Sequence, residues 1–153
     1  MHWTTRGLRD PQLTEDALLF VQKLMSVNIE KIAIENPISI ISSRIRKPEQ
    51  IIQPWQFGDD ASKKTCLWLK NLPLLTPSLI VSPRLVCCGI ELENNDKYGC
   101  PDCCGAKKPV KRWSNQTNSG QNKLTPSADR WKLRSTTYQG IADAMAAQWG
   151  LLV

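Results

Sequence analysis

Cysteines are the side chains of this sequence with the clearest chemical potential. Five of its six cysteines fall within 18 residues, namely Cys87, Cys88, Cys100, Cys103 and Cys104. Zinc prefers tetrahedral sulfur or imidazole ligands, and two cysteines separated by two residues grip one ion from a single tight turn. Cys100 and Cys103 have this spacing in CPDCCG. The pattern therefore predicts a structural zinc site with these two as ligands.

The remaining ligands must come from the adjacent pair Cys87 and Cys88, which need a turn for both sulfurs to reach one ion. Cys104 is the substitute if only one of them does so. The alternative is a set of small buried thiols, which the glycines and proline among these cysteines disfavour. The sixth cysteine, Cys66, lies alone in the apolar run TCLWL, so we expect it in the core.

A second candidate site is the stretch IAIENPIS, residues 32–39, where an apolar run ends at Glu35, Asn36 and Pro37. A carboxylate placed where a buried strand leaves a sheet is a common ligand contact in α/β folds. The same residues are also typical of a plain strand end, and taken alone they do not separate the two interpretations.

Positive charge is the third feature, because the net charge is +6 and residues 105–134 contain eight basic residues against one acid, with two tryptophans. This distribution is typical of a nucleic-acid or nucleotide contact, although a solvated basic loop is the alternative. The candidate phosphate contacts are Arg44, Arg46, Lys107, Lys108, Lys111, Arg112 and Lys123. Amides supply paired donors and acceptors for bases, so Asn115, Gln116, Gln121 and Asn122 of NQTNSGQN are candidates to probe them, unless this loop is a flexible polar surface.

These residues must be positioned by a short series of elements. The first predicted element is a helix capped by Asp10-Pro11 or by Thr14, with Glu15 and Asp16 in its first turn and its end near residues 26–28. A buried strand over 29–34, a mostly loop segment over 38–53, a strand over 65–69 and an exposed loop over 112–126 follow. The last element is a helix over 138–149 with Ile141, Ala142, Met145 and Trp149 on one stripe. Helix followed by buried strand indicates one step of an α/β layer.

Composition sets the broad class. With 153 residues, 41% hydrophobic and 22% charged, the sequence is typical of one soluble globular domain, either alone or with a small appendage. It has no apolar run long enough to span a bilayer and no apolar signal-peptide core at its start, so we expect a cytosolic protein with no membrane partner. In a reducing compartment its cysteines are thiols or metal ligands rather than disulfides.

The segment from IAIENP to LPLLTP, residues 32–77, resembles phage and prophage proteins classed as DNA cytosine methyltransferases. The similarity continues through CCG…YGCPDCCG, RWSNQTNSGQNKL, SADRWKLRS and TYQGIADAMAAQWG. It implies an α/β fold: a partial Rossmann-like methyltransferase sheet with flanking helices and a small cysteine-rich, zinc-ribbon-like insertion. The implied division is 1–85 for a partial methyltransferase-like region, 86–112 for the insertion, and 113–153 for a loop and helix that complete the α/β region.

In such enzymes the glutamate of a Glu-Asn motif holds a flipped cytosine through its ring nitrogen and amino group. Glu35 and Asn36 match this motif, with Pro37 in place of the usual valine. A carboxyl group beside the ring can share a proton while the base is attacked, and a flipped base must be recognised by fixed polar groups. The resemblance therefore implies a base-contact role for Glu35 and Asn36 and a bacterial host cell as the location.

Two parts of the family pattern are missing from the sequence. Family members begin with a strand and a glycine-containing loop that bind S-adenosylmethionine, followed by a Pro-Pro-Cys nucleophile. This sequence has no Gly-x-Gly turn after an opening strand and no cysteine preceded by proline, and its residues 1–7 resemble the region just after the nucleophile loop. Cys66 is no replacement because it lies in the middle of a strand. We expect no methyl transfer and no S-adenosylmethionine binding by this chain alone.

Three functions remain as expectations. The first is a methyltransferase-derived protein that binds DNA or nucleotide without catalysis, and the second is one half of a split methyltransferase whose partner chain supplies the donor site and nucleophile. The third is a zinc-stapled phage interaction protein, such as a host-defence antagonist, and a remnant without activity is also compatible. Because a sheet without its opening strands has an open edge, we expect self-association or a partner chain.

Overall fold

Two small antiparallel sheets and four α-helices make up the described part of this mixed α/β chain. The computed structural model describes residues 10–92 and 108–152. These residues form two compact units: the first holds residues 10–52 and 65–74, and the second holds residues 53–64, 75–92 and 108–152. The helices are α1 (Pro11–Ser26), α2 (Ile41–Arg44), α3 (Arg130–Ser135) and α4 (Gln139–Trp149). The strands are β1 (Ile32–Pro37), β2 (Gln50–Ile52), β3 (Thr65–Lys70), β4 (Arg84–Cys87), β5 (Ile90–Glu91) and β6 (Val110–Arg112).

Helix α1 begins at Asp10-Pro11, the first of its two predicted starts, and not at Thr14. The Asp10 carboxylate accepts a hydrogen bond from the Gln12 N–H at 2.9 Å, and Pro11 occupies the first helical position, where its missing N–H costs nothing. The placement of Glu15 and Asp16 in the first turn was wrong, because a helix that begins at Pro11 has completed that turn before either acid.

The first sheet has the order β1-β3-β2, and both pairings are antiparallel. In this register Ile34 lies opposite Trp68 and Asn36 opposite Cys66, so alternate residues of β1 and β3 share one face. Trp68 and Cys66 of that face form a buried cluster with Leu18 of α1 and Ile41 of α2. The prediction that Cys66 is a core residue is confirmed.

Several predicted boundaries in the first unit are wrong. Strand β1 starts at Ile32 rather than Ile29, and the predicted loop over 38–53 contains both α2 and β2. The predicted buried strand is in fact an edge strand in which half-buried and exposed residues alternate. Its pairing with β3 is antiparallel, and the parallel step of a doubly wound layer is not seen between the described strands.

The second sheet has the order β5-β4-β6 and belongs to the second unit. Strands β4 and β5 are joined by Cys88 and Gly89, with φ of +52° and +85°. Positive φ at both central residues is the signature of a type I′ hairpin turn, which favours glycine at the second position. The predicted boundary between residues 85 and 86 falls inside β4.

Helix α4 confirms the predicted C-terminal helix. Ile141 and Trp149 are buried and Ala142 and Met145 are half-buried, as the predicted stripe requires, while the buried Ala144 was missed. The Asp59 carboxylate accepts a hydrogen bond from the Gly140 N–H at 3.0 Å, so a residue 81 positions earlier caps the first turn.

Candidate nucleic-acid interface and cysteine turn

Glu35 and Asn36 lie on opposite faces of β1, since successive residues of a strand alternate. Glu35 is exposed, whereas Asn36 is half-buried and donates a hydrogen bond from its side-chain nitrogen to Ser39 Oγ at 3.2 Å. Ser39 Oγ also accepts a hydrogen bond from the Ile41 N–H, at 3.4 Å. Asn36 therefore organises the link from β1 to α2, and Glu35 presents its carboxylate at the sheet edge.

Arg44 and Arg46, also in the first unit, both form ion pairs. Arg44 Nη2 lies 2.9 and 3.0 Å from the two carboxylate oxygens of Glu15, and Arg46 pairs with Glu49. Their charge is thus largely neutralised by acids of the same unit, which weakens both as phosphate contacts.

Glu49 has a second partner besides Arg46. Burial works against its charge, but the Leu69 N–H, 2.7 Å from Glu49 Oε2, and the Arg46 guanidinium outweigh burial and lower the pKa of this carboxyl group. Arg46 also accepts, at its backbone oxygen, the indole N–H of buried Trp68 at 2.9 Å. Arg46 and Glu49 therefore fasten the segment between α2 and β2 to β3.

The candidate base-probing segment, residues 115–122, is named here the amide loop. It is ordered: Gln116 and Asn122 form an antiparallel bridge, and the Lys123 N–H donates to the Asn115 carbonyl at 3.0 Å. Its first arm is half-buried, so the predicted exposed loop over 112–126 is only partly correct.

Two arginines hold the amide loop against the second sheet. Arg84 and Arg112 lie directly opposite each other on β4 and β6. Arg84 Nη1 donates to Asn118 Oδ1 at 3.1 Å, and Arg112 Nε donates to the Asn118 carbonyl at 3.1 Å. Asn118 completes the arrangement by donating to the Gly89 carbonyl at 2.7 Å. These contacts satisfy guanidinium donors of two neighbouring like charges, and the Glu91 carboxylate, 3.9 Å from Arg84 Nη1, offsets part of that charge.

The four amide candidates differ in exposure and in the hydrogen bonds that they form within the chain. Asn115 exchanges two hydrogen bonds with the backbone of Ser62, at 3.0 and 3.1 Å, and Gln116 Oε1 accepts from the Trp113 N–H at 3.2 Å. Asn122 Oδ1 accepts from the Leu124 N–H at 2.7 Å. Asn115 and Gln116 are structural, while Gln121 and Asn122 are exposed on the returning arm.

Tyr138, which precedes α4, contacts Asn115 as well. Burial raises the pKa of the Tyr138 hydroxyl, the hydrogen bond with Asn115 opposes this rise, and the nearby carboxylate of Asp59 adds to it. A neutral phenol is therefore favoured beside the base of the amide loop.

Three candidate lysines are exposed on the same unit. Lys111 lies on β6, which leads into the amide loop, Lys123 directly follows the loop, and Lys108 precedes β6. Across residues 10–92 and 108–152, no ion pair involves any of these three. They are therefore the described candidates best suited to phosphate contact. Lys107 lies outside the described residues.

Trp113 and Trp131 are the two tryptophans of the basic stretch, and the sequence did not reveal the surroundings of either. Trp55 and Trp113 stack with ring centroids 5.7 Å apart, which supports the strand that leads into the amide loop. Trp131 of α3 is 72% exposed between Arg130 and Lys132. An exposed indole among cations is a typical stacking platform for nucleobases, and the RWKLR pattern is the signal that could have found it.

The adjacent cysteines sit at the hairpin turn between β4 and β5. Their Sγ atoms are 4.0 Å apart, with Cys87 buried and Cys88 exposed. Two sulfurs bound to one tetrahedral zinc at about 2.3 Å lie about 3.8 Å apart, so the turn brings this pair close to the separation that one ion requires. Cys100, Cys103 and Cys104 lie outside the described residues, and the described part alone contains no group of three metal-binding side chains.

A search of the described helices finds none with the length and apolar content needed to cross a bilayer.

Comparison of the chain with family models, curated proteins and solved structures gives no match.

Proposed function

We propose that this chain is a phage-derived, DNA cytosine methyltransferase-like protein of the bacterial cytoplasm that binds DNA or nucleotide and does not transfer methyl groups by itself. The proposal combines the sequence resemblance with one structural observation. That observation is the ordered amide loop, which lies between Lys111 and Lys123 and is fixed to its sheet by Arg84 and Arg112.

The physical argument concerns preorganisation. Phosphate contacts from lysine supply most of the affinity for nucleic acid, and base contacts supply specificity. Because Arg84 and Arg112 hold the loop, little ordering entropy is lost when Gln121, Asn122 and Lys123 meet a ligand. Trp131 adds a surface on which a base can stack. The described part of the second unit carries ten lysines and arginines against five acids, which favours an anionic partner.

The proposal includes a methyltransferase-like fold and a bound zinc ion. The α/β regions, 1–85 and 113–153, represent part of a Rossmann-like methyltransferase sheet with its flanking helices, and residues 86–112 form a zinc-ribbon-like insertion. Cys87 and Cys88 would hold the ion together with Cys100 and Cys103, with Cys104 as the substitute for one of the adjacent pair. The zinc ion would be structural and would cross-link the hairpin turn to the second cysteine group.

The test is binding of the purified full chain to labelled duplex and single-stranded oligonucleotides by fluorescence anisotropy, with zinc content measured on the same sample. We expect an affinity that falls steeply between about 50 and about 200 mM salt. The absence of binding at the lower salt concentration would overturn the proposal, and a salt-independent affinity for a protein partner would support the interaction-protein alternative instead. Transfer of labelled methyl groups from S-adenosylmethionine to DNA would overturn the non-catalytic part.

One observation favours the second candidate, half of a split methyltransferase. Glu35, the base-contact residue implied by the resemblance, is exposed on β1, an edge strand of its sheet. A partner chain that adds strands beside β1 would enclose this carboxylate and supply the donor site and the nucleophile. Co-expression with a candidate partner tests this directly: methyl transfer must require both chains and must be lost in Glu35→Gln.

A further inference from the structure

Helix α1 carries two apolar surfaces, and within residues 10–52 and 65–74 only one of them is packed against neighbouring side chains. Leu18, Val21 and Met25 face the core cluster. A second stripe, about 100° around the helix, consists of Leu13, Ala17, Phe20 and Leu24 and is exposed. Leu13 and Phe20 retain 61% and 60% of their accessible surface. Large apolar side chains aligned in this way indicate a surface that another molecule covers.

The spacing of the stripe specifies what kind of molecule fits. Its members are separated by four, three and four residues, which is the a/d pattern of a two-helix seam. A helix with the same pattern packs knobs into holes along this stripe, and a second copy of α1 has that pattern.

Flanking charges specify the direction of the second copy. Asp16 and Lys23 are one heptad apart on the same side of the stripe, and both are exposed. In an antiparallel pair this flank faces its own equivalent, which brings Asp16 of each helix beside Lys23 of the other and forms two symmetric ion pairs. In a parallel pair the same flank would face Thr14 and Val21, which supply no charge. Within its own helix Asp16 accepts a hydrogen bond from Gln12 at 2.8 Å, which the ion pair across the seam would have to share or replace.

We propose that two copies of the chain pair through antiparallel α1 helices along Leu13, Ala17, Phe20 and Leu24, with Asp16 and Lys23 exchanged across the seam. The inference concerns the first unit and is independent of nucleic-acid binding by the second. Because the seam covers only two heptads, it forms a small interface, and we expect a dissociation constant of about micromolar strength or weaker.

Sedimentation equilibrium of the full chain, over a concentration series from the micromolar to the millimolar range, tests the proposal. Phe20→Glu should raise the dissociation constant by about tenfold or more, because it places a charge in the centre of the seam. Leu19→Gln is the control: Leu19 is 53% exposed on the same helix but lies off the stripe, and a neutral replacement leaves the charges of Asp16 and Lys23 unaltered, so dimerisation should be unchanged. Circular dichroism of both variants verifies that the chain remains folded.

A charge exchange tests the antiparallel register. Asp16→Lys alone should weaken the dimer because it creates two like-charge contacts with Lys23, and the double variant Asp16→Lys with Lys23→Asp should restore it. A monomer at every concentration, a dimer unaffected by Phe20→Glu, or a double variant that fails to recover would each overturn the proposal. A chain that stays monomeric but captures a separate polypeptide through this stripe would replace the second copy with that partner.

Discussion

For the replacement of Gly140 by alanine, local helix propensity and tertiary packing predict changes in stability of opposite sign. Alanine is the better helix former by about 1 kcal/mol, so propensity alone predicts a more stable α4. A Cβ at this position, however, would lie 1.8 Å from the carbonyl oxygen of Phe57 and 2.9 Å from Asp59 Oδ2. To restore even a 3.0 Å separation, the helix and the Phe57 carbonyl must move apart by about 1.2 Å.

The expected magnitude follows from this contact. Forcing a methyl group into a packed site costs about 1–3 kcal/mol. The same shift lengthens the hydrogen bond by which Asp59 caps the helix, and loss of such a cap costs about 0.5–2 kcal/mol. After the gain in propensity is subtracted, Gly140→Ala should lower the free energy of unfolding by about 2 kcal/mol.

Urea unfolding followed by circular dichroism measures this change, which corresponds to a drop of about 1 M in the midpoint. Gly150→Ala, at the position that directly follows the same helix, is the control, because a Cβ there meets no atom within 4 Å. It should leave the midpoint unchanged or raise it slightly. A Gly140→Ala variant as stable as wild type would refute the close approach of α4 to Phe57.

Three further predictions concern single side chains. Glu49→Gln should lower stability at neutral pH by at most about 1 kcal/mol, because solvent screens the exposed part of this side chain. Since the folded carboxyl has a lowered pKa, the difference should be present above the ordinary glutamate pKa and vanish as pH falls through the folded value, as urea midpoints at several pH values would show. Asn118→Ala removes an acceptor of Arg84 and should lower the free energy of unfolding by about 1–2 kcal/mol and speed backbone hydrogen exchange in the amide loop. Unchanged exchange would show that Arg84 and Arg112 do not fix the loop through Asn118. Cys88→Ser should reduce bound zinc in elemental analysis, whereas Cys66→Ser should not; equal loss in both would argue against a site at the hairpin turn.

Local sequence patterns were sufficient for the elements whose stability arises nearby. Helix α1 follows from apolar spacing and its capping residue, and α4 follows from apolar spacing alone. Strand β3 follows from a continuous apolar run that is buried in the centre of its sheet. Strand β2 could not be predicted in this way, because its three residues form a strand only by pairing with β3. The edge position of β1 depends on the same long-range pairing.

The candidate site shows the same division. Basic residues and amides could be identified from composition, but the hydrogen bonds and ion pairs that they form within the chain could not. The amide loop is ordered by contacts between distant residues, such as that of Asn115 with Ser62 across 53 positions. Arg84 was missed because it stands alone in SPRLV, and only strand pairing places it opposite Arg112. The ion pair of Arg44 with Glu15 could not be predicted either, because only the fold brings these two residues together across 29 positions.

The most direct test of nucleic-acid binding compares the salt dependence of wild type with that of Lys111→Ala combined with Lys123→Ala. Each phosphate contact contributes about 0.9 to the slope of log affinity against log salt for duplex DNA. Lys31→Ala combined with Lys47→Ala removes the same charge from the first unit and serves as the control.

The proposal predicts that the Lys111 and Lys123 variant has a slope smaller by about 1.8, so wild type should lose about tenfold more affinity than this variant between about 50 and about 200 mM salt. The control should keep the wild-type slope. Equal slopes for all three proteins would contradict the proposal that these lysines, on either side of the amide loop, contact phosphate.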